Sequence, residues 1–330
     1  MTHRSGDAIV VGGGVSGLTT ALCLAEAGYS VRVWSADQAA DTTSYAGGAI
    51  YSPFLLNDER ASQWAEQTFT ELEAMALQPG EDTGVAMVQG QEVSRGPAQA
   101  PDWATKVTGF RYCDGAELPR GFTTGWSYRV PLVDMPIYLQ YLQTLFVAKH
   151  SGIVEQRRIS TLDEPATEAD VVANCTGMGA RELVPDPALR PIRGELVVMS
   201  NPGIDRFLAE HSDADRELTY LLPHRDVVVL GGTADEQRWD VEPDDKAVAG
   251  IIARCTELEP RLRDAQVLGC RVGIRPARDR VRAERTSLNG AVVLHNYGHG
   301  GSGVSVSWGC ARYVVGLLSS SEPSGDGPRR

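Results

Sequence analysis

A glycine triplet set between an apolar run and an amphipathic one constrains this chain more than any other feature. Asp7-Ala8-Ile9-Val10-Val11 is short, apolar and rich in β-branched residues, so it reads as a buried strand. Gly12-Gly13-Gly14 breaks it, and residues 16–27 then repeat apolar side chains at helical spacing until Gly28 stops them. Residues 30–34, Ser-Val-Arg-Val-Trp, alternate like a second strand, which completes a β-α-β unit of about 30 residues. Gly12, Gly14 and Gly17 stand in it as G-x-G-x-x-G. The first permits a tight turn, the second lets backbone approach a pyrophosphate, and the third lets helix pack on strand. Val15 and Ser16 open the helix, whose N-terminus faces the anion. FAD and NAD fit this fingerprint equally. Asp37 lies just past the second strand, where it either grips a ribose or is an ordinary turn aspartate.

What surrounds the unit narrows the class. A chain of 330 residues with 42% apolar residues makes one large α/β domain or two interleaved ones, with a sizeable core. Its 31 Lys and Arg against 43 Asp and Glu give a net charge of −12, which repels phosphate backbones and argues against a nucleic-acid partner. Cys23, Cys113, Cys175, Cys255, Cys270 and Cys310 form no C-x-x-C pair and read as reduced thiols, neither a disulfide framework nor a zinc site. The uncharged residues 8–25 carry four glycines and are followed by no second span, so neither a membrane helix nor a signal peptide is expected. No C-terminal S-K-L address is present, and a cytoplasmic location is the default expectation. Asn174-Cys175-Thr176 matches a glycosylation acceptor formally, but it follows Val171-Val172-Ala173 and is expected to be buried.

Farther along, residues 61–76 and 137–149 are helix-like, with short strand candidates separated by Gly and Pro between them. The stretch Ala169-Asp170-Val171-Val172-Ala173-Asn174 reads as a buried strand ending at Gly177. Strands follow at 195–199, 218–222 and 227–230, the last abutting Gly231-Gly232. Residues 291–295 read as a strand, 298–303 as a glycine-rich turn, 304–318 as a helix and 319–330 as a frayed tail.

Residues 269–303 hold Arg271-Val272-Gly273-Ile274-Arg275-Pro276-Ala277-Arg278 and then His295-Asn296-Tyr297-Gly298-His299-Gly300-Gly301-Ser302-Gly303. Here the sequence resembles the D-amino acid oxidase family, which carries a G-x-R-P segment before a strand and an H-N-Y-G-H-G-G turn opening its last helix. Further matches are Thr42-Thr43-Ser44-Tyr45-Ala46-Gly47-Gly48-Ala49, Pro53-Phe54, Asn174-Cys175-Thr176-Gly177, and Tyr220-Leu221-Leu222-Pro223 followed by Leu230-Gly231-Gly232. Together they cover nearly the whole chain in one order. The resemblance implies an α/β fold: a Rossmann-like FAD-binding domain from residues 1–55, 132–190 and 286–330, with a β-rich substrate domain, residues 56–131 and 191–285, inserted. It also implies hydride removal from the α-carbon of a D-amino acid to flavin N5. The imino acid then hydrolyses to a 2-oxo acid and ammonia, and dioxygen reoxidises the flavin to give hydrogen peroxide. In such chemistry the cofactor carries the reaction and the protein orients the substrate.

Residue by residue, Arg275 matches the family's carboxylate-binding arginine, whose planar fork suits bidentate recognition. Tyr220 matches the tyrosine that adds a hydrogen bond to the same carboxylate, and the carbonyl of Gly301 the acceptor for the substrate amine. Gly300, Gly301, Ser302, Gly303, Val304 and Ser305 match the turn against the flavin ring and ribityl chain. Thr43, Ser44, Gly47 and Gly48 match the loop along the flavin, Ile159 falls near the adenine contact, and Gly177 closes its own motif in the cofactor set. No metal is expected: His295 and His299 flank a turn without a third ligand and read as packing. Arg278, Arg280, Arg282 and Arg285 read as a solvated, salt-bridged strand.

The chain departs from the pattern at the lid. Vertebrate members that prefer neutral substrates place a second tyrosine four residues before the one matched by Tyr220, where this chain has Arg216. An arginine there pairs with the substrate's side chain in the D-aspartate oxidase branch, so a preference for D-aspartate or D-glutamate is one alternative. That branch's other arginine is replaced by Ala234, with Arg238 nearby. A glycine or secondary-amine oxidase of the same fold is a second alternative. Outside this class, an NAD-dependent dehydrogenase would purify colourless, and a flavin-binding module without catalysis would need a broken carboxylate grip. Ile50 and Ser52 replace larger polar or aromatic groups, so pocket shape cannot be copied from a relative. A D-amino acid and dioxygen are the expected small-molecule partners, and a homodimer is left open.

Overall fold

The computed structural model describes residues 6–53, 57–211, 217–236 and 238–319. Arg216, Phe54 and residues 320–330 of the expected tail lie outside the described residues. The opening unit folds as its sequence dictates: β1 (Asp7–Val11), α1 (Val15–Glu26) and β2 (Ser30–Ser35), with β1 and β2 parallel. β1 is buried from Ala8 onward and reads as a continuous apolar run because both of its faces are covered.

A 14-stranded sheet runs through the described residues. At one end the order is Ile153–Gln156, β2, β1, Val171–Asn174, Ala291–His299, all parallel. Val267–Leu288 then pairs antiparallel with Ala291–His299 on one side and with Arg190–Ser200 on the other. Beyond it lie Val227–Thr233, Glu217–His224, Phe207–Glu210, Val85–Ser94, Thr124–Val133 and Arg111–Tyr112, antiparallel except where Phe207–Glu210 meets Val85–Ser94. The parallel end matches the expected nucleotide-binding sheet and the antiparallel end the expected β-rich unit. One sheet joins them, and the borders drawn at 131/132 and 285/286 fall inside Thr124–Val133 and Val267–Leu288.

The helices expected at 61–76, 137–149 and 304–318 are Ala61–Ala76, Met135–His150 and Gly303–Gly316. Pro136 sits in the first turn of the second and Ser151 ends it in the left-handed region. With α1 these helices bury Leu18, Leu22, Trp64, Tyr138, Leu142 and Trp308 in the largest core cluster, where the Trp308 indole donates to the Tyr138 hydroxyl at 2.8 Å. Asp245–Leu258, a helix the sequence reading left out, is capped by Asp244, whose carboxylate accepts from the amides of Lys246 and Ala247. It covers one face of the antiparallel sheet through Ile251 and Cys255, packed with Val197, Leu221 and Leu230.

Residues paired directly across strands share a face. Tyr220 pairs with Gly231, Gly231 with Leu196, Arg271 with Leu196, Gly273 with Gly194 and Arg275 with Ile192. The face opposite the Asp245–Leu258 helix therefore carries Tyr220 and Arg275.

All six cysteines are free thiols. Among the described residues no helix is long and apolar enough to cross a membrane, and no group of three His, Cys, Asp or Glu side chains is placed to hold a metal.

Candidate active site

The fingerprint glycines sit where larger side chains have no room. Gly12 has a φ of +114°, and a Cβ on it would lie 2.4 Å from the Cys175 carbonyl oxygen. A Cβ on Gly17 would lie 1.8 Å from the Gly12 oxygen, so only glycine lets α1 cross the turn this closely. Ser44 reaches this helix start from the 43–48 loop: its Oγ accepts the Val15 amide at 3.0 Å, beside Gly14. The same loop is fastened to the strand that bears Arg275, because Thr43 Oγ1 donates to the Ile274 carbonyl at 3.1 Å and Ala46 packs against Gly273. Gly48 lies against Tyr220, Leu222 and Leu196, with its carbonyl 3.2 Å from His224 Nε2. Loop, helix start and antiparallel sheet thus meet at one place.

Tyr220 and Arg275 are held over glycines. A Cβ on Gly231 would stand 1.8 Å from the Tyr220 Cζ, and one on Gly194 would stand 2.3 Å from the Arg275 Cζ. Arg275 Nη1 donates to the Thr233 carbonyl at 2.9 Å. Among the described residues no carboxylate lies within ion-pair range of Arg275, and no group hydrogen-bonds the Tyr220 hydroxyl. Burial lowers the Arg275 pKa from its ordinary value and raises that of Tyr220, and the two groups are close enough that each acts on the other's charge. Even a half-buried guanidinium without a counter-ion is costly unless an anion completes it.

The turn after Ala291–His299 closes the site from the other side. Gly300, Gly301 and Ser302 make a single 3₁₀ turn, and the helix from Gly303 through Val304 and Ser305 follows. Ser305 Oγ accepts the Ser52 amide at 2.9 Å, which ties this helix to the stretch carrying Ile50 and Ser52. Gly301 is exposed. His299 is buried, with Nδ1 3.5 Å from Ser16 Oγ, and burial pulls its pKa down to about 4. His295 is fixed between Asn174 (3.3 Å) and Thr286 (3.1 Å), which agrees with a packing role.

Other expected residues lie apart. Asp37 is exposed beyond β2 and pairs with Arg158 at 2.8 Å. Ile159 is half-buried against the Trp34 and Leu162 cluster, on the β2 side of the sheet. Arg238 is held by Asp240 at 2.9 Å, Asp244 at 3.4 Å and Asp235 at 3.8 Å. Arg278, Arg280 and Arg282 pair with Asp186, Glu59 and Glu284, and Arg285 donates to the Leu317 carbonyl, as a salt-bridged strand requires. Thr233, Gly194 and the Arg193–Glu195 pair beneath them were missed. Arg193 and Glu195 flanking a glycine in an otherwise apolar strand were the available signal.

Residues 7–317 match the DAO family, described as FAD dependent oxidoreductase. The chain belongs to that family. Among its relatives, the D-amino-acid oxidase of Streptomyces coelicolor is 46% identical over 321 residues, 96% of this chain and 98% of that one. The human D-aspartate oxidase is 34% identical over 325 residues, 94% of each chain. A solved glycine oxidase from Geobacillus kaustophilus superposes with a TM-score of 0.79 at 17% identity, covering 98% of this chain and 97% of that one, a likeness of fold.

As a member of the FAD dependent oxidoreductases the protein uses FAD, and its own geometry fits that group. Gly177 (φ +56°) and Gly300 (φ +55°) flank open ground: a Cβ on either would find its nearest neighbour only at 3.8 Å from Pro276 and 3.9 Å from Ala277. His299 Nε2, next to this ground, is buried with no hydrogen-bond partner among the described residues. The amides of a helix N-terminus, two sparsely packed positive-φ glycines and an orphaned buried imidazole nitrogen are what a dinucleotide would complete.

Proposed function

We propose that the protein oxidises D-amino acids with FAD, and that Arg275 binds the α-carboxylate. The observation that carries the reading is the half-buried Arg275 guanidinium, without a carboxylate partner among the described residues, sharing a sheet face with the unengaged hydroxyl of Tyr220. A planar fork facing inward suits a bidentate carboxylate, and the phenol donates one further hydrogen bond to it. The Gly301 carbonyl receives the substrate amine, which leaves the α-carbon between the two anchors. FAD, when bound, supplies the two-electron acceptor. Gly12, Gly14, Val15, Ser16 and Gly17 would hold its diphosphate; Thr43, Ser44, Gly47, Gly48, Gly177 and residues 300–305 would line its flavin and ribityl portion. Asp37 and Ile159 would face the adenosine end. The protein's own work is orientation and exclusion of water, with the buried sheet face and the 43–48 loop forming the walls.

The overall conversion takes a D-amino acid, dioxygen and water to a 2-oxo acid, ammonium and hydrogen peroxide. The D-amino-acid oxidase and D-aspartate oxidase relatives support this reading. In this reading the parallel end of the sheet, with residues 1–55, 132–190 and 286–330, would serve FAD, and residues 56–131 and 191–285 the substrate. Self-association as a dimer is a question for light scattering. The test is a coupled assay for peroxide and 2-oxo acid on the yellow protein with D- and L-isomers. Turnover of D-isomers supports the reading, and turnover of L-isomers alone or of none overturns it.

A further inference from the structure

Arg193 and Glu195 form an ion pair at 2.8 Å with both side chains fully buried. They alternate with Gly194 along one strand, so they point to the face opposite Arg275. Glu195 uses its remaining groups on two loops: its amide donates to Thr233 Oγ1 at 3.1 Å, and its Oε1 accepts the Asp244 amide at 2.9 Å. Arg193 donates to the carbonyls of Asp240 (3.0 Å) and Glu242, and Asp235 lies 3.9 Å away. The two side chains therefore hold Asp240, Glu242 and Asp244 onto the strand, and the Glu195 backbone amide holds Thr233 there as well.

Thr233 and Gly194, the glycine between the paired residues, are the two positions that fix Arg275. Thr233 presents the carbonyl that receives Arg275 Nη1, and Gly194 is the floor on which the guanidinium lies. A buried ion pair is poor value for stability, since well-packed apolar side chains of similar volume commonly do as well or better. Its geometric fixity is a different matter: every hydrogen bond of the cluster has one direction, and displacing Glu195 moves both the Thr233 hydroxyl and the strand that carries Gly194.

We infer that Arg193, Glu195 and Thr233 are positioning residues for Arg275, setting from the reverse face of the sheet the affinity for the substrate's α-carboxylate. The inference rests on the proposed role of Arg275 and adds to it the groups that orient the fork. Thr233→Val removes the hydroxyl and keeps the carbonyl, Thr233→Ser keeps both, and Glu195→Gln keeps the shape and removes the charge.

The experiment uses the FAD-loaded protein and reads four quantities: KM for a D-amino acid, the limiting rate of flavin reduction, the Kd of an amine-free carboxylate such as isovalerate from the shift of the flavin spectrum, and Tm. Thr233→Val is expected to raise KM and the carboxylate Kd together by about fivefold to tenfold, the loss of one hydrogen bond. The limiting rate stays within about twofold, and Thr233→Ser restores both values. Ile251→Ala, in the apolar cluster on the same reverse face, lowers Tm and leaves the carboxylate Kd alone. If Thr233→Val and Glu195→Gln lower Tm while KM and Kd match wild type, the cluster is structural only and the inference is overturned. Should Glu195→Gln fail to fold, Thr233→Val against Thr233→Ser decides. If isovalerate binding follows the predicted pattern but no D-amino acid reduces the flavin, the proposed substrate fails and the positioning role stands.

Discussion

Arg275 lies flat on Gly194, whose absent side chain is the space the guanidinium occupies: a Cβ there would be 2.3 Å from Cζ. Gly194→Ala therefore has to displace the arginine. Charge-assisted hydrogen bonds contribute about 1.5–3 kcal/mol each, so kcat/KM for a D-amino acid is expected to fall about 10-fold to 100-fold. Steady-state kinetics on Gly194→Ala and Arg275→Lys check this. Lysine retains the charge without the fork, and its loss is expected to be at least as large.

Gly231→Ala brings a Cβ to 1.8 Å from the Tyr220 Cζ. The ring has to swing away, which removes its hydroxyl from the carboxylate. A loss of about tenfold in kcat/KM is expected, matched by Tyr220→Phe, which removes only the hydroxyl. Equal losses in the two variants identify the hydroxyl as what the glycine protects; an undiminished Tyr220→Phe rules that out.

Arg238 lies near Ala234, the position at which the resemblance places the D-aspartate oxidase branch's second arginine, and Asp240, Asp244 and Asp235 already surround it. It is not free to attract a second carboxylate. D-Aspartate is therefore expected to be oxidised about tenfold less efficiently than D-asparagine, its uncharged near-isostere, and Arg238→Ala is expected to change that ratio by less than about twofold. Arg216, outside the described residues, supplies the opposing reading: if D-aspartate is the better substrate and Arg216→Ala reverses the order, the acidic preference holds.

Stability is expected to fall with acid below neutrality. Burial, together with nearby Arg282, holds the His295 pKa down to about 3, and burial holds that of His299 down to about 4, against about 6.5 in the unfolded chain. Between those values the unfolded state binds protons that the folded state refuses, so stability is fully present above about pH 6.5 and drains as pH falls toward 3. Each histidine contributes a slope of up to about 1.4 kcal/mol per pH unit. Tm measured from pH 7.5 to 4.5 on wild type and His295→Gln shows whether the slope lessens as predicted.

How much of this was written in the sequence depends on locality. The Gly12–Gly17 cradle is a local device, in which spacing along the chain fixes spacing in the fold, and β1, α1 and the last helix fall within a residue or two of their sequence positions. Arg275 and Tyr220 were readable as residues of a resembling motif, but their shared face was not. It depends on register across Arg190–Ser200 and Val227–Thr233, strands far apart along the chain. Prolines hid strands as well. Pro131 reads as the end of the strand candidates and Pro276 as the residue before a strand, yet they lie within Thr124–Val133 and Val267–Leu288, where the sheet accommodates them. Of the Arg193–Glu195 clamp only its two charged residues in an apolar strand were legible, since its partners are the end of the Val227–Thr233 strand and Asp244, the cap of the Asp245–Leu258 helix.

The central claim, that a half-buried arginine without a carboxylate partner among the described residues receives the carboxylate of a D-amino acid, is met most directly by anaerobic mixing of the FAD-loaded protein with paired D- and L-amino acids, glycine and sarcosine. The flavin band is expected to bleach with D-isomers, to persist with their L-partners, and to bleach with D-isomers only at much higher concentration in Arg275→Lys. Bleaching by glycine or sarcosine but by no chiral D-isomer, or equal bleaching by wild type and Arg275→Lys, would contradict the account.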